Sequence, residues 1–285
     1  MPILKDLAHV LRVYEQGNTS QVVVFLGRRC GQMRVLAKGA RRSTRKGFEG
    51  GFDLLSRGEL LVYPRRDESL WIFKEWDERV RRPGLGRSWE ALRGASFLCE
   101  LAEALTRESA GAAPFNSGDG STALLYDLLA HSSDALARGF EPGPLLLFFA
   151  LRALEILGFL PDLSRCSRCG EAWPGAQALA GTGPRVFARP LARLGAEGLE
   201  CNACAMQKSP ERALEYRSAW LTIEALRALA FVKRTGKGVR LSRAAAEALA
   251  RTLLLLVHGA LERDLRTLRW AAQQILRMGD EREKK

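Results

Sequence analysis

Four of the six cysteines, Cys166, Cys169, Cys201 and Cys204, form two C-x-x-C pairs. A C-x-x-C turn offers two thiolates to one side of a metal ion. Two such pairs can therefore close a tetrahedral site with four sulfurs, the donor set of a structural Zn²⁺. A catalytic zinc keeps an open position and usually takes a His or a carboxylate, which this set lacks. The gap of 31 residues between the pairs is longer than the usual gap of about 15–20 and leaves room for a looped-out hairpin. Paired C-x-x-C in a cytosolic chain reads as metal or redox chemistry rather than as structural disulfides. No βαβ pattern flanks either pair, which argues against a thioredoxin-like site. Free thiols or redox pairs remain the alternative to structural zinc. Cys30 and Cys99 stand alone.

The second constellation is basic. Arg28, Arg29, Arg34, Lys38, Arg41, Arg42, Arg45 and Lys46 follow one another with no acidic residue among them. Gly39, Ser43, Thr44 and Gly47 are interleaved, so the later half reads as a loop between strands. Such a loop beside a barrel can follow a phosphate backbone. The absence of local acids favours this over a merely solvated loop. Aromatic rings, on which single-stranded bases stack, lie nearby: Tyr14, Phe25, Phe52, Tyr63, Trp71, Phe73 and Trp76. A small barrel needs aromatics inside it, so each single ring is first a core candidate.

The charge balance agrees. The chain of 285 residues has a formal charge of +12. Residues 1–88 hold 18 Lys and Arg against 10 Asp and Glu, a net of +8. Polyanionic partners suit such a surface, through steering and counterion release. Known catalytic motifs are missing: there is no nucleophile elbow, no H-E-x-x-H and no P-loop, and the three histidines sit in separate segments. Lys237 in Thr-Gly-Lys-Gly fits a helix C-cap followed by a turn. We expect a protein that is not an enzyme. No uncharged apolar run reaches about 18 residues, and the first residues carry Lys5 and Asp6, so we expect a cytoplasmic chain with no membrane contact.

The elements that must position these residues change character along the chain. Strand patterns cover Val10–Glu15, Gln21–Leu26, Gln32–Ala37, Phe52–Tyr63 with a bulge or break at Gly58, and Leu70–Trp76. Five short strands with regular turn residues predict a small barrel over 1–80. Pro and Gly in 81–88 read as a linker. Helical spacing follows from Trp89 to Arg107, from an N-cap at Ser121 to Leu136, and from Pro142 to Leu157. The last of these is apolar nearly all round and should be the centre of a helical domain. Further helices are expected at 211–234, 242–261 and 262–277. The expectation is thus an α+β multidomain chain: a barrel, then an all-α domain (89–163 and 209–279) with a four-cysteine zinc knuckle inserted at 164–208, then a disordered charged tail at 280–285.

This arrangement resembles the RecO family of bacterial recombination and repair proteins. Gly31-Gln32-Met33 leading into Val35-Leu36-Ala37-Lys38-Gly39-Ala40-Arg41-Arg42 looks like the family's strand and "AKGAR" turn. Leu157-Gly158-Phe159-Leu160-Pro161 before Cys166-Ser167-Arg168-Cys169-Gly170 looks like its first knuckle, and Gly198-Leu199-Glu200-Cys201-Asn202-Ala203-Cys204 like its second. The resemblance implies an OB-fold barrel that binds single- and double-stranded DNA. It implies annealing of complementary strands, including strands coated by single-stranded-DNA-binding protein, and work with RecR in loading RecA, near the nucleoid. Two readings compete with it. One is a zinc-containing OB-fold protein that binds RNA, since OB-folds accept both nucleic acids. The other is a metal-dependent nuclease built from carboxylates of different segments.

Overall fold

The computed structural model describes residues 3–40, 52–65, 70–109, 120–172, 190–195, 198–207, 219–261 and 263–280. These form two compact units, Met1–Phe140 and Glu141–Lys285.

The first unit is built on five strands: β1 (Leu4–Gln16), β2 (Ser20–Gly27), β3 (Gly31–Ala37), β4 (Arg57–Tyr63) and β5 (Trp71–Val80). They close into a barrel in the order β1-β2-β3-β5-β4, with β3 and β5 parallel and the other pairs antiparallel. This is the OB topology expected from the resemblance. Alternate residues point inward, and Val10, Val23, Phe25, Val35, Leu60 and Val62 are wholly buried inside. Phe52, Trp71, Phe73 and Trp76 fill the rest of the interior, with Phe52 edge-on to Phe25 and Phe73. Gly58 sits at a register shift between β4 and β5, as the break in the sequence pattern suggests. A Cβ there would strike the backbone carbonyl of Asp77.

The outer face of β2 is buried too, at Val22, Val24 and Leu26. Two helices cover this side of the barrel: α1 (Trp89–Ser109) and α2 (Ser121–Ala137). Cys99 of α1 reaches the carbonyl of Val10, and the ring of Tyr126 on α2 lies 4.4 Å from that of His9. The boundary between the units therefore falls within the segment 89–163 that the sequence pattern assigns to the helical domain. The expected linker 81–88 is likewise folded. Pro83–Gly86 is a 3-10 turn, and Gly84 approaches the backbone of Ala137 so closely that no side chain would fit. Gly120, with φ +74°, stands at the cap of α2 in place of Ser121, which is its first helical residue.

In the second unit, α3 (Pro142–Ile156) is buried on nearly every face, as its composition demands. The short α4 (Asn202–Met206) comes next in the chain, and around α3 pack α5 (Ile223–Thr235), α6 (Arg243–Ala260) and α7 (Leu268–Asp280). Thr222 and Ser242 cap α5 and α6 by accepting the backbone N–H three residues on. Gly236 ends α5 at φ +66°, the C-cap role expected around Lys237. A three-stranded sheet also appears, β6 (Pro190–Gly195), β7 (Gly198–Cys201) and β8 (Ala219–Thr222), in the order β7-β6-β8. The helix expected across 211–234 is thus a strand at 219–222 before it becomes α5. The four residues of β8 pair with β6, a partner remote in sequence, and that pairing overrides a local helical period.

Candidate nucleic-acid interface and cysteine cluster

Folding brings the four paired cysteines together. Their sulfurs all lie within 4.8 Å of one another, and those of Cys169 and Cys201 are 3.9 Å apart. Four sulfurs about 2.3 Å from a common centre would be about 3.8 Å apart, so this spacing suits a tetrahedral ion. Each pair rides on its own turn. Gly170 donates to the carbonyl of Cys166 (3.0 Å) with φ +74°, which closes the first. The described part of the long insert is the β6–β7 hairpin, whose second strand delivers Cys201. Ser167 donates to the carbonyl of Leu199 (2.8 Å), joining the two turns.

Backbone N–H groups are aimed at the sulfurs: Cys201 donates to the Cys166 sulfur (3.3 Å) and Cys204 to that of Cys201 (3.4 Å). Burial opposes ionisation of Cys166, but backbone donors from Cys169, Cys201 and Arg168 outweigh it and lower its pKa to about 6. Cys204 is pushed up to about 12 by its hydrogen bond with Cys201 and by burial. The cluster thus favours one thiolate and resists the next, because like charges so close repel. A divalent cation removes that conflict, and the donor set fits one. Cys30 and Cys99 lie elsewhere; burial raises both thiols, Cys30 to about 12, which leaves them unreactive.

The basic residues divide into two places. Arg28 and Arg29 occupy the β2–β3 turn. Arg28 makes a two-pronged contact with Asp127 of α2 (2.9 and 3.2 Å). Arg29 lies 3.5 Å from the Asp6 carboxylate and donates to the carbonyl of Lys5. Buried Asp6 also accepts the backbone N–H groups of Leu7, Arg29 and Cys30, so this turn is pinned from beneath. Arg34 and Lys38 lie toward the other end of β3 and are exposed. The register places Tyr14, Val22 and Leu36 in one row across the outer face and Arg12, Val24 and Arg34 in the next. Arg12 is tied to Glu103 of α1 (2.8 Å) and lies over the Tyr14 ring at 5.8 Å. Arg34 makes no ion pair among the described residues. Tyr14 is 41% exposed. Tyr14, Arg34 and Lys38 are thus exposed at the margins of the face that the helices cover, and Lys38 opens the turn at Gly39, whose φ of +65° explains the glycine there. Arg41, Arg42, Arg45 and Lys46 lie outside the described residues.

Two family models match: the recombination protein O N-terminal domain over residues 1–77 and its C-terminal domain over residues 86–269. The chain belongs to the RecO family. Among curated relatives, this RecO-family chain is 28% identical over 225 residues to a protein of Rhodopirellula baltica named DNA repair protein RecO. That match covers 79% of this chain and 74% of the relative. A protein of the same name from Cutibacterium acnes is 29% identical over 179 residues, covering 61% and 68%. No described helix of this RecO-family chain is long and apolar enough to cross a membrane.

The rings expected to serve either core or stacking sort cleanly. Phe25, Phe52, Trp71, Phe73 and Trp76 are core, Tyr63 is half-buried, and Tyr14 is exposed. Sequence reasoning missed the role of α1 and α2. The signal was the unbroken apolar run in β2, since a strand apolar on both faces must be covered on both.

Proposed function

We propose that this chain is a cytoplasmic recombination mediator without covalent chemistry of its own. It binds single- and double-stranded DNA and anneals complementary strands. With RecR it helps load RecA onto strands coated by single-stranded-DNA-binding protein. The observation that carries this reading is the exposure of Tyr14, Arg34 and Lys38 on the barrel, next in sequence to the basic segment of Arg41, Arg42, Arg45 and Lys46, in a RecO-family chain. Cations there offset the repulsion between two phosphate backbones, and Tyr14 offers a stacking face for a base. Arg28 and Arg29 support the surface from the far turn. The cysteine cluster holds a structural Zn²⁺ that fixes the β6–β7 hairpin, and its donor set supports that ion over a catalytic one.

The test is annealing of two complementary oligonucleotides pre-coated with single-stranded-DNA-binding protein. Acceleration without ATP is expected. Binding to bare strands without acceleration would remove the mediator role, and preference for RNA over matched single-stranded DNA would replace DNA with RNA as the ligand. Elemental analysis is expected to give close to one zinc per chain. A folded protein without metal would end the structural-zinc reading.

A further inference from the structure

We propose that the cleft between the Pro83–Gly86 turn and the C-terminal end of α2 is a second phosphate site, taking a backbone phosphodiester of a bound nucleic-acid strand. The inference rests on the nucleic-acid reading above and adds a place to it. The cleft has a volume of about 270 Å³ and is lined by Arg81, Arg82, Arg87 and Arg138, with Asp134 as its acidic residue.

The four cations are not equivalent. Arg81 is paired with Glu78 and lies 3.9 Å from Asp53. Arg82 is buried, its side chain 2% exposed. It donates through Nε to Asp134 (2.7 Å) and through Nη1 to the carbonyl of Leu55, while its Nη2 has no hydrogen-bond partner among the described residues. A guanidinium so deeply placed, with one half-exposed carboxylate and an unsatisfied donor, is a fixed and undercompensated charge beneath the cleft. Arg87 and Arg138 are exposed and make no ion pair among the described residues. They are the two that can close on a ligand, with Arg82 setting the field and Asp134 opposing it in part.

The site is preformed. Gly84 lies against the backbone of Ala137, so the turn and the helix end are held together without a ligand. Two residues past Arg87, Trp89 is 65% exposed, with the Arg93 guanidinium 5.3 Å from its ring centre. An exposed indole beside a phosphate cleft favours a strand, which brings a base along with its phosphate, over a free anion. The cleft adjoins Val80, at the end of β5 remote from Trp71, and Trp71 pairs with Val35 of β3. The ten residues of β5 span roughly 30 Å, so this contact stands well apart from the Lys38 end of the barrel.

The experiment measures binding of a labelled single-stranded oligonucleotide to the full chain across a salt series. Wild type is compared with R87A/R138A, and calorimetry with inorganic pyrophosphate runs alongside. Losing two phosphate contacts should lower the slope of log affinity against log salt by about 1.4 and weaken binding on the order of tenfold at 0.1 M salt. R87K/R138K should recover the slope. If the double variant is destabilised, R87A and R138A singly should each lower the slope by about 0.7. A wild type that binds no nucleic acid would sink the proposed function and this site with it. A wild type that binds, with the slope unchanged in R87A/R138A, overturns this site alone. So does pyrophosphate binding with an unchanged slope, since the cleft would then hold free anions and not a strand.

Discussion

At the scale of residues, the most telling side chain is one the sequence motifs left unused. His9 is fully buried on β1, its ring tilted against that of Tyr126. Burial, and then the charges of Arg82 and Arg57, lower its pKa from 6.5 to about 3. The folded protein keeps the ring neutral over a range where the unfolded chain takes up a proton. Between pH 6.5 and about 3 the unfolded state binds more protons, so this contribution is complete above pH 6.5 and is lost as pH falls. The loss is up to about 1.4 kcal/mol per pH unit. His9→Phe preserves an aromatic contact and removes the proton uptake. Urea midpoints measured between pH 6.5 and 4 should fall more steeply for wild type than for the variant. Parallel curves would assign the acid sensitivity to other groups. None of this was legible from a lone histidine, because the residues that bury and discharge it are 48 to 117 positions away in the chain. The cysteines are the opposite case: their spacing alone predicted a cluster, since the chemistry of four convergent thiols depends little on what surrounds them.

At the scale of elements, the strands were readable where local chemistry sets them, in the five patterns from Val10–Glu15 to Leu70–Trp76. What escaped was the assignment of helices to partners. The pattern of Trp89–Arg107 shows that one face is apolar but not what that face meets. The fold answers with the outer side of β1 and β2, so the barrel packs with α1 and α2 in one compact unit. A fragment of residues 1–80 would expose Val22, Val24 and Leu26 on that outer side. Each such side chain left in water forgoes about 1.5–3 kcal/mol. We expect 1–80 to aggregate or to unfold at much lower urea than 1–140, checked by size-exclusion chromatography and urea titration. Equal stability of the two fragments would show that α1 and α2 are dispensable to the barrel. The same locality explains β8, since four residues carry too little periodicity to reveal a strand whose partner is β6.

At the scale of the whole molecule, the proposed function depends on which cations the fold pairs and which it leaves exposed. Of the eight basic residues singled out near the barrel, Arg28 and Arg29 are occupied by Asp127 and Asp6, while Arg34 has no such partner among the described residues. Sequence shows a run of charge but not which members the fold spends on itself. Replacing Arg41 and Arg42 by Ala should weaken binding to all DNA sequences alike and lower the salt slope by about one per lost phosphate contact, read from binding isotherms at several salt concentrations. An unchanged slope would take this segment out of the interface. The cysteine pairs carry a consequence of another kind, in time. A chain made at about 5–20 residues per second leaves Cys166 and Cys169 waiting roughly 2–7 s before Cys204 follows. An ion captured in that interval would have two sulfur ligands and would fill its other positions with water or small thiols. On the proposed metal reading, closure of the site must await the hairpin, so metal supply during synthesis, and not only in the finished protein, would bear on how many chains reach their native form.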